Sequence, residues 1–219
     1  MDISVIGAGG IGSNFVRSVA PAISTGSLVE SLGGANLMIF DSDSVEEKNL
    51  RLGQRFGHGD LGLSKVEAIK RSILAFEGDL LSVVAYEHDI RGAGDIQKSD
   101  VVVVCVDNMH ARRIVHSLDV PWLDLRCSGD GYVAIDHRVE ASVVSSLSND
   151  SVHSHSCQLE GWESGFLQAG FLAAAAHGYQ WLIAIMRQLS GFERAVLPEP
   201  RSTSVTFGTL GKLPMSEEM

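Results

Sequence analysis

Val5-Ile6-Gly7-Ala8-Gly9-Gly10-Ile11-Gly12-Ser13 closes a short apolar run and opens directly into a segment with helical character. Glycines at this spacing let a chain leave a strand in a sharp turn and bring its backbone close to a phosphate. The helix that follows then aims its free N–H groups and the positive end of its dipole at the anion. The stretch therefore predicts a strand, Asp2–Ile6, a phosphate-binding turn, and a helix from Ile11 to about Ile23 that Pro21 should stop or bend.

Working outward, Ala35–Phe40 is an apolar run ending at Asp41, which fits a buried parallel strand. Ser24–Gly34 is Gly/Ser-rich and reads as irregular, and Ser44–Gly59 is charged with weak periodicity. Apolar positions 66, 69, 73 and 74 give Ser64–Ala75 a helical spacing. Leu81–Tyr86 is strand-like, and Val101–Val106 is an unbroken apolar strand. His110–Leu118 reads as helix and Trp122–Arg126 as strand. Alternating strands and helices imply a mostly parallel sheet covered on both faces. In the second half, Gly131–Ile135 and Arg138–Val144 read as a hairpin around Asp136-His137. Ser145–Ser156 reads as a polar loop, Phe166–Leu189 as a long helix, and Arg201–Leu213 as a strand pair around Gly208 or Gly211. The expected fold is α/β: a Rossmann-like, doubly wound, mostly parallel sheet with an antiparallel extension in the C-terminal half. One nucleotide-binding domain spans 1–219, with 1–127 as its Rossmann-like half and 128–219 as hairpin, loop, long helix and C-terminal strands.

Composition narrows the partners. A formal net charge of −10 argues against a nucleic-acid binder, which needs a basic face. The long apolar stretch carries Gln168, His177, Tyr179, Gln180, Arg187 and Gln188, too many polar groups for a membrane span. Cys105, Cys127 and Cys157 form no C-x-x-C pair, and no secretory signal is visible, which predicts a reducing, cytoplasmic setting.

Four further features sharpen the glycine turn. Strand two ends in Asp41-Ser42-Asp43. Then come Asn49-Leu50, Lys65 within Asp60-Leu61-Gly62-Leu63-Ser64-Lys65, and Asp107-Asn108 after the valine strand. Ligands of open α/β sheets collect at the carboxyl ends of the strands, where the strand order reverses, so these residues should converge on one crevice. An acidic residue after strand two accepts hydrogen bonds from ribose hydroxyls. A lysine in the next helix reaches a triphosphate as a point charge. An aspartate on the far side can hold Mg²⁺ against phosphate oxygens. A dehydrogenase needs the glycines and the ribose acid, but not the lysine and the far aspartate. An NAD-dependent oxidoreductase is thus a poorer reading, since no residue resembles a hydride-transfer acid or base.

Gly7–Ser13, Asp41-Ser42-Asp43, Val45–Leu50, Asp60–Lys65 and Val106-Asp107-Asn108, in that order, resemble the ThiF/MoeB/HesA family of the ubiquitin-activating-enzyme superfamily. The resemblance implies ATP and Mg²⁺ as cofactors and adenylation of the C-terminal carboxylate of a small ubiquitin-like or sulfur-carrier protein. It implies that Gly7, Gly9, Gly10, Ile11, Gly12 and Ser13 hold phosphates and that Asp41 holds the ribose. Asn49 and Lys65 would contact the phosphates, and Asp107 would coordinate Mg²⁺. Asp43, Gln54 and Asn108 complete the nucleotide-binding set, and Asn108 can also cap the helix after it. A homodimer is implied, with Phe166–Leu189 offering an apolar surface. Cys157, near a helix N-terminus after a polar loop, is the candidate for an acyl-accepting thiol.

The departures are as informative. The family's Asn-Leu-x-Arg-Gln places Leu52 and Gly53 at the Arg and Gln positions here, with Arg51 before them and Gln54 and Arg55 after. A shifted loop would put Arg51 or Arg55 at the phosphates. The sequence starts at its first strand, so the arginine that an N-terminal helix lends to a partner subunit's site is expected to be missing. The paired C-x-x-C zinc ligands are missing too, and His153, His155 and Cys157 fit a loop better than a metal site. These losses motivate an alternative: a catalytically weak nucleotide-binding scaffold of the same fold.

Overall fold

The computed structural model describes residues 1–51, 54–147, 169–192, 194–206 and 208–212. Among them runs one eight-stranded sheet in the order β3-β2-β1-β4-β5-β6-β7-β8. The strands are β1 (Asp2–Ile6), β2 (Ala35–Phe40), β3 (Leu81–Tyr86), β4 (Val101–Val104), β5 (Trp122–Ser128), β6 (Gly131–Asp136), β7 (Arg201–Ser204) and β8 (Gly208–Lys212). Pairings from β3 through β5 are parallel, and those from β5 through β8 are antiparallel. The chain winds outward through β2 and β3, then returns to place β4 on the other side of β1. The strand order thus reverses between β1 and β4, where a ligand crevice forms.

The helices are α1 (Gly10–Ile23), α2 (Ser27–Ser31), α3 (Glu47–Arg51), α4 (Lys65–Ile73), α5 (Met109–His116), α6 (Ala141–Leu147) and α7 (Gly170–Leu189). One face of the sheet packs Ile3, Val5, Leu37, Ile39, Val103 and Leu125 against α1, α4 and α7 through Phe15, Val16, Ile69 and Trp181. The other face packs Ile6, Phe40, Val102, Val104 and Trp122 against Val115 of α5 and Val143 of α6. All four valines of β4 are fully buried. Alternate side chains point to opposite faces, so a strand covered on both sides has no polar position to keep.

Helix α1 ends at Ile23 as expected, with Pro21 inside it and the Ile23 side chain buried in the core, and two other local expectations are corrected. Tertiary burial outweighs the hydrogen bond lost at proline. Ser24–Gly34 is not wholly irregular, since it holds the single turn α2. Arg138–Val144 is not a strand. The hairpin is formed by β5 and β6 around Gly129-Asp130, and the chain enters α6 after Asp136. Asp136 ends the strand by accepting hydrogen bonds from the Arg138 N–H (3.0 Å) and guanidinium, and α6 then follows with Val143 buried.

Under the α5–α6 face lies a buried charge cluster. The Asp124 carboxylate is fully buried and pairs with Arg112, Arg126 (2.7 Å) and His116 (3.1 Å). Burial first, then the nearby Arg126 and Arg112 charges, push His116 down to about 4. A neutral ring beside a carboxylate must donate, so Nε2 carries the proton toward Asp124. Arg112 also donates to the Val106 carbonyl and so ties this cluster to the end of β4. Among the described residues, no helix is long and apolar enough to cross a membrane.

Candidate functional site

The in-register strand ends assemble the site. Ile6 stands beside Phe40 on one side and Val104 on the other, and Phe40 stands beside Tyr86. The segments after β1, β2, β3 and β4 therefore emerge at one edge of the sheet. They surround a cavity of about 370 Å³, with Gly7, Gly9, Gly10, Asp41, Asp43, Asn49, Gln54, Lys65, Asp107 and Asn108 in its wall. Sequence distances of up to a hundred residues collapse here because the strands are parallel and aligned.

The glycines act for different reasons. Gly7 has φ +101°, a left-handed conformation that L side chains rarely adopt, and a methyl there would meet Val106 Cγ1 at 2.8 Å. A methyl on Gly12 would lie 1.9 Å from the Gly7 carbonyl oxygen, so the first turn of α1 rests directly on the turn that precedes it. A methyl on Gly10 would meet the Phe171 ring at 2.6 Å. On Gly9 it would meet nothing within 4 Å. Gly9 lines the cavity, with no protein atom over the position a side chain would take. That open position is what a cradle for an approaching anion requires.

Asp41 is built into the turn. Its Oδ2 accepts from the Ala8 N–H at 2.7 Å and its Oδ1 from the Asp43 N–H at 2.9 Å. Burial raises its pKa above the ordinary carboxylate value, and the Lys65 charge and the two N–H groups oppose that rise. Each oxygen keeps lone pairs for a further donor such as a ribose hydroxyl.

Lys65 starts α4. Its side chain is 9% exposed, and its ammonium donates to Asp43 Oδ2 at 2.6 Å. Its own N–H donates to the Asp43 carbonyl at 2.9 Å, which fixes the helix start beside the cavity. Asn49 is buried. Its Oδ1 accepts from the Glu46 N–H (2.7 Å), and its Nδ2 donates to Gln54 Oε1 at 3.2 Å. Asn108 caps α5 by accepting from the His110 N–H at 2.8 Å, which leaves the Asp107 carboxylate exposed at the cavity wall.

The structure does not bring every candidate there. Ile11 is packed in the core. Gly12 and Ser13 are buried behind the turn, and the Ser13 hydroxyl accepts from the Arg55 N–H at 3.2 Å. The Arg55 guanidinium does not line the cavity either; its Nε donates to Oδ1 of buried Asn14 on α1 at 2.8 Å. The Arg51 side chain and Cys157, with His153 and His155, lie outside the described residues. Among the described residues, no group of three His, Cys, Asp or Glu side chains is arranged to hold a metal. Cys105 and Cys127 are both buried. Wall residues that sequence reading missed include Lys48, Asp89, Ile90 and Phe171. Lys48 was legible as the cation beside Asn49. The others carry no local signal, since only the fold carries the segment after β3 and the start of α7 to this edge.

The wall tests the fit to a nucleotide. Asp41, Asp43, Asp89 and Asp107 face two cations, Lys48 and Lys65. Such a wall repels a bare triphosphate but suits one that carries a divalent cation. Mg²⁺ in such sites takes one or two protein carboxylates and fills its remaining positions with phosphates and water. Exposed Asp107 can supply the carboxylate.

The ThiF family model matches residues 1–208. Over 135 residues the chain is 27% identical to SUMO-activating enzyme subunit 2 of Dictyostelium discoideum, covering 58% of this chain and 19% of that protein. It is 29% identical over 141 residues to ubiquitin-like modifier-activating enzyme 5 of Bombyx mori, covering 56% of this chain and 33% of that protein. The chain thus spans a third or less of these relatives' length. Among solved structures, PaaA superposes with a TM-score of 0.66 at 16% identity over 94% of this chain and 61% of its own. MccB of E. coli, in a structure with ATP, superposes with a TM-score of 0.61 at 17% identity over 99% of this chain and 65% of its own. At such identities these structures speak for the fold.

Proposed function

The chain belongs to the ThiF family, and on that premise we propose that it is an adenylyltransferase using ATP and Mg²⁺ to activate the C-terminal carboxylate of a small ubiquitin-like or sulfur-carrier protein, or of a peptide. The carrying observation is one cavity walled by Gly9, Asp41, Lys65 and Asp107, with the Gly9 side-chain position open. Solved MccB structures that include ATP or the peptide MccA support the reading.

In the reaction a carboxylate oxygen attacks the α-phosphorus. A new P–O bond forms, the α–β bridging bond breaks, and pyrophosphate leaves with the bonding electron pair. Two anions must meet, so the protein's work is alignment and charge neutralisation. The N–H groups of the glycine turn and the Lys65 ammonium bind the phosphates, and Asp41 orients the ribose. Asn49 holds the loop that carries Lys48 against the cavity. Asp107 is the ligand for Mg²⁺, which supplies charge neutralisation on the phosphates when bound. Arg51 and Cys157 are further candidates, for the phosphates and for acyl acceptance. The active unit is a homodimer, with the exposed Leu172 and Leu189 on α7 offering part of its surface.

The tether of Arg55 to Asn14 favours a second reading, a nucleotide-binding scaffold with weak turnover. Pyrophosphate exchange into ATP separates the two. The test supplies the purified chain with synthetic peptides ending in Gly-Gly and with a small ubiquitin-like protein. Exchange that needs the free carboxylate and is lost in Asp107→Ala supports the enzyme. Binding of ATP without exchange supports the scaffold.

A further inference from the structure

Ala8 and Ile11 flank a bare Gly9-Gly10 step: Asp41 holds the Ala8 N–H at 2.7 Å and Ile11 is buried in the core, whereas Gly9 makes no side-chain cap and neither glycine has a side chain to pack. On one side the Gly10 carbonyl accepts from Asn14 Nδ2 at 2.7 Å. On the other side stands Phe171, in the first turn of α7. Its ring is 3% exposed, lines the nucleotide cavity, and occupies the space where a side chain on Gly10 would go.

Phe171 is itself held from behind. Gly170 donates to the Gly129 carbonyl at 2.9 Å, and a methyl on Gly170 would lie 2.6 Å from the carbonyl oxygens of both Gly129 and Gly131. The start of α7 is thus pressed onto the β5–β6 hairpin. Further along, a methyl on Gly178 would meet Leu125 Cδ1 at 2.8 Å and the Phe15 ring at 3.1 Å, so α7 lies close on α1. A continuous chain of contacts runs from the hairpin turn through Gly170 and Phe171 to Gly10.

We propose that Phe171 is a positioning residue for the nucleotide: its ring, backed by the hairpin, holds the glycine turn in the conformation that presents its N–H groups to the phosphates. This rests on the ATP reading above. Gly10 is glycine here because an aromatic ring needs its α-carbon, whereas Gly9 is glycine because the ligand does. The two adjacent positions therefore answer differently to a partner substitution: Gly10→Ala is rescued by removing the ring, and Gly9→Ala is not.

Calorimetric titration with the non-hydrolysable analogue AMPCPP and Mg²⁺ tests this, on variants shown by circular dichroism to be folded and held well below their melting temperatures. Phe171→Ala should weaken binding about tenfold, and Phe171→Leu should restore most of it. Gly10→Ala should lose binding, and Gly10→Ala/Phe171→Ala should regain part of it, while Phe171→Ala should not improve Gly9→Ala. If Phe171→Ala does not fold, Phe171→Leu and the Gly10 pair decide. A lowered melting temperature with AMPCPP affinity within twofold of wild type overturns the proposal and leaves Phe171 as packing alone. So does a Gly10 double variant no tighter than Gly10→Ala. Wild type that binds no AMPCPP overturns both this and the ATP reading, whereas tight wild-type binding with an unaffected Phe171→Ala overturns this alone.

Discussion

Replacing Asp124 with asparagine keeps the shape of the side chain and removes its charge. The carboxylate is fully buried, and the Arg112 side chain beside it is 4% exposed. Arg126, 19% exposed, and neutral His116 complete the cluster. Without the anion, the two guanidinium groups keep their bonds to the Val106 and Leu147 carbonyls but lose the one buried negative charge that both pair with. Breaking a buried ion pair from one side costs about 3–5 kcal/mol, because the remaining charge is uncompensated. For a chain of this size each kcal/mol moves the melting temperature by roughly 2–4 °C. The expected drop is therefore roughly 6–20 °C, the product of those two ranges. Thermal unfolding followed by circular dichroism reads it directly, with exposed Asp79→Asn as the control that should not move. The loss should also reach the cavity, because Arg112 donates to the carbonyl of Val106, next to Asp107. An Asp124→Asn protein melting within about 2 °C of wild type would refute the reasoning, since it would mean the guanidinium groups are solvated or paired elsewhere.

Other outcomes follow from the same contacts. Lys65→Met removes a buried cation from the cavity wall and should weaken Mg-ATP binding roughly 10- to 150-fold, the equivalent of about 1.5–3 kcal/mol for a charged hydrogen bond; calorimetry checks it. Gly12→Ala forces a methyl to within 1.9 Å of the Gly7 carbonyl oxygen, so the turn must open, and the protein should lose nucleotide binding and melt earlier. His116 and His177 are both pushed down to about 4, chiefly by burial. The unfolded chain takes up their protons below about pH 6.5 while the folded chain does not. Stability is thus full above that pH and falls as pH drops toward 4. Melting temperatures across that window should decline, and more shallowly in His116→Gln.

Much of the fold was legible because parallel strands buried on both faces leave a plain mark: Val101–Val104 is wholly apolar and buried, and Ala35–Phe40 is apolar but for Asn36. Glycines, terminal aspartates and Lys65 were legible as a site because an α/β sheet places strand ends together. What local pattern could not supply was tertiary override. Val139 to Val144 alternates enough to resemble a strand until Asp136 turns the chain into α6. Arg55 looked like a phosphate ligand from its place in the loop, but Asn14 offers it a partner that no linear spacing shows. Phe171 lies more than 160 residues beyond Gly10 by numbering, and only the packing of α7 on α1 brings them together.

The central claim, that the crevice between β1 and β4 is an ATP site, meets its most direct test in calorimetric titration of the wild-type chain with ATP, with and without Mg²⁺, and with NADH. An ATP site walled by four carboxylates and two lysines should bind Mg-ATP, bind ATP more weakly without the metal, and show no heat with NADH. Binding of NADH with no response to Mg-ATP would contradict it.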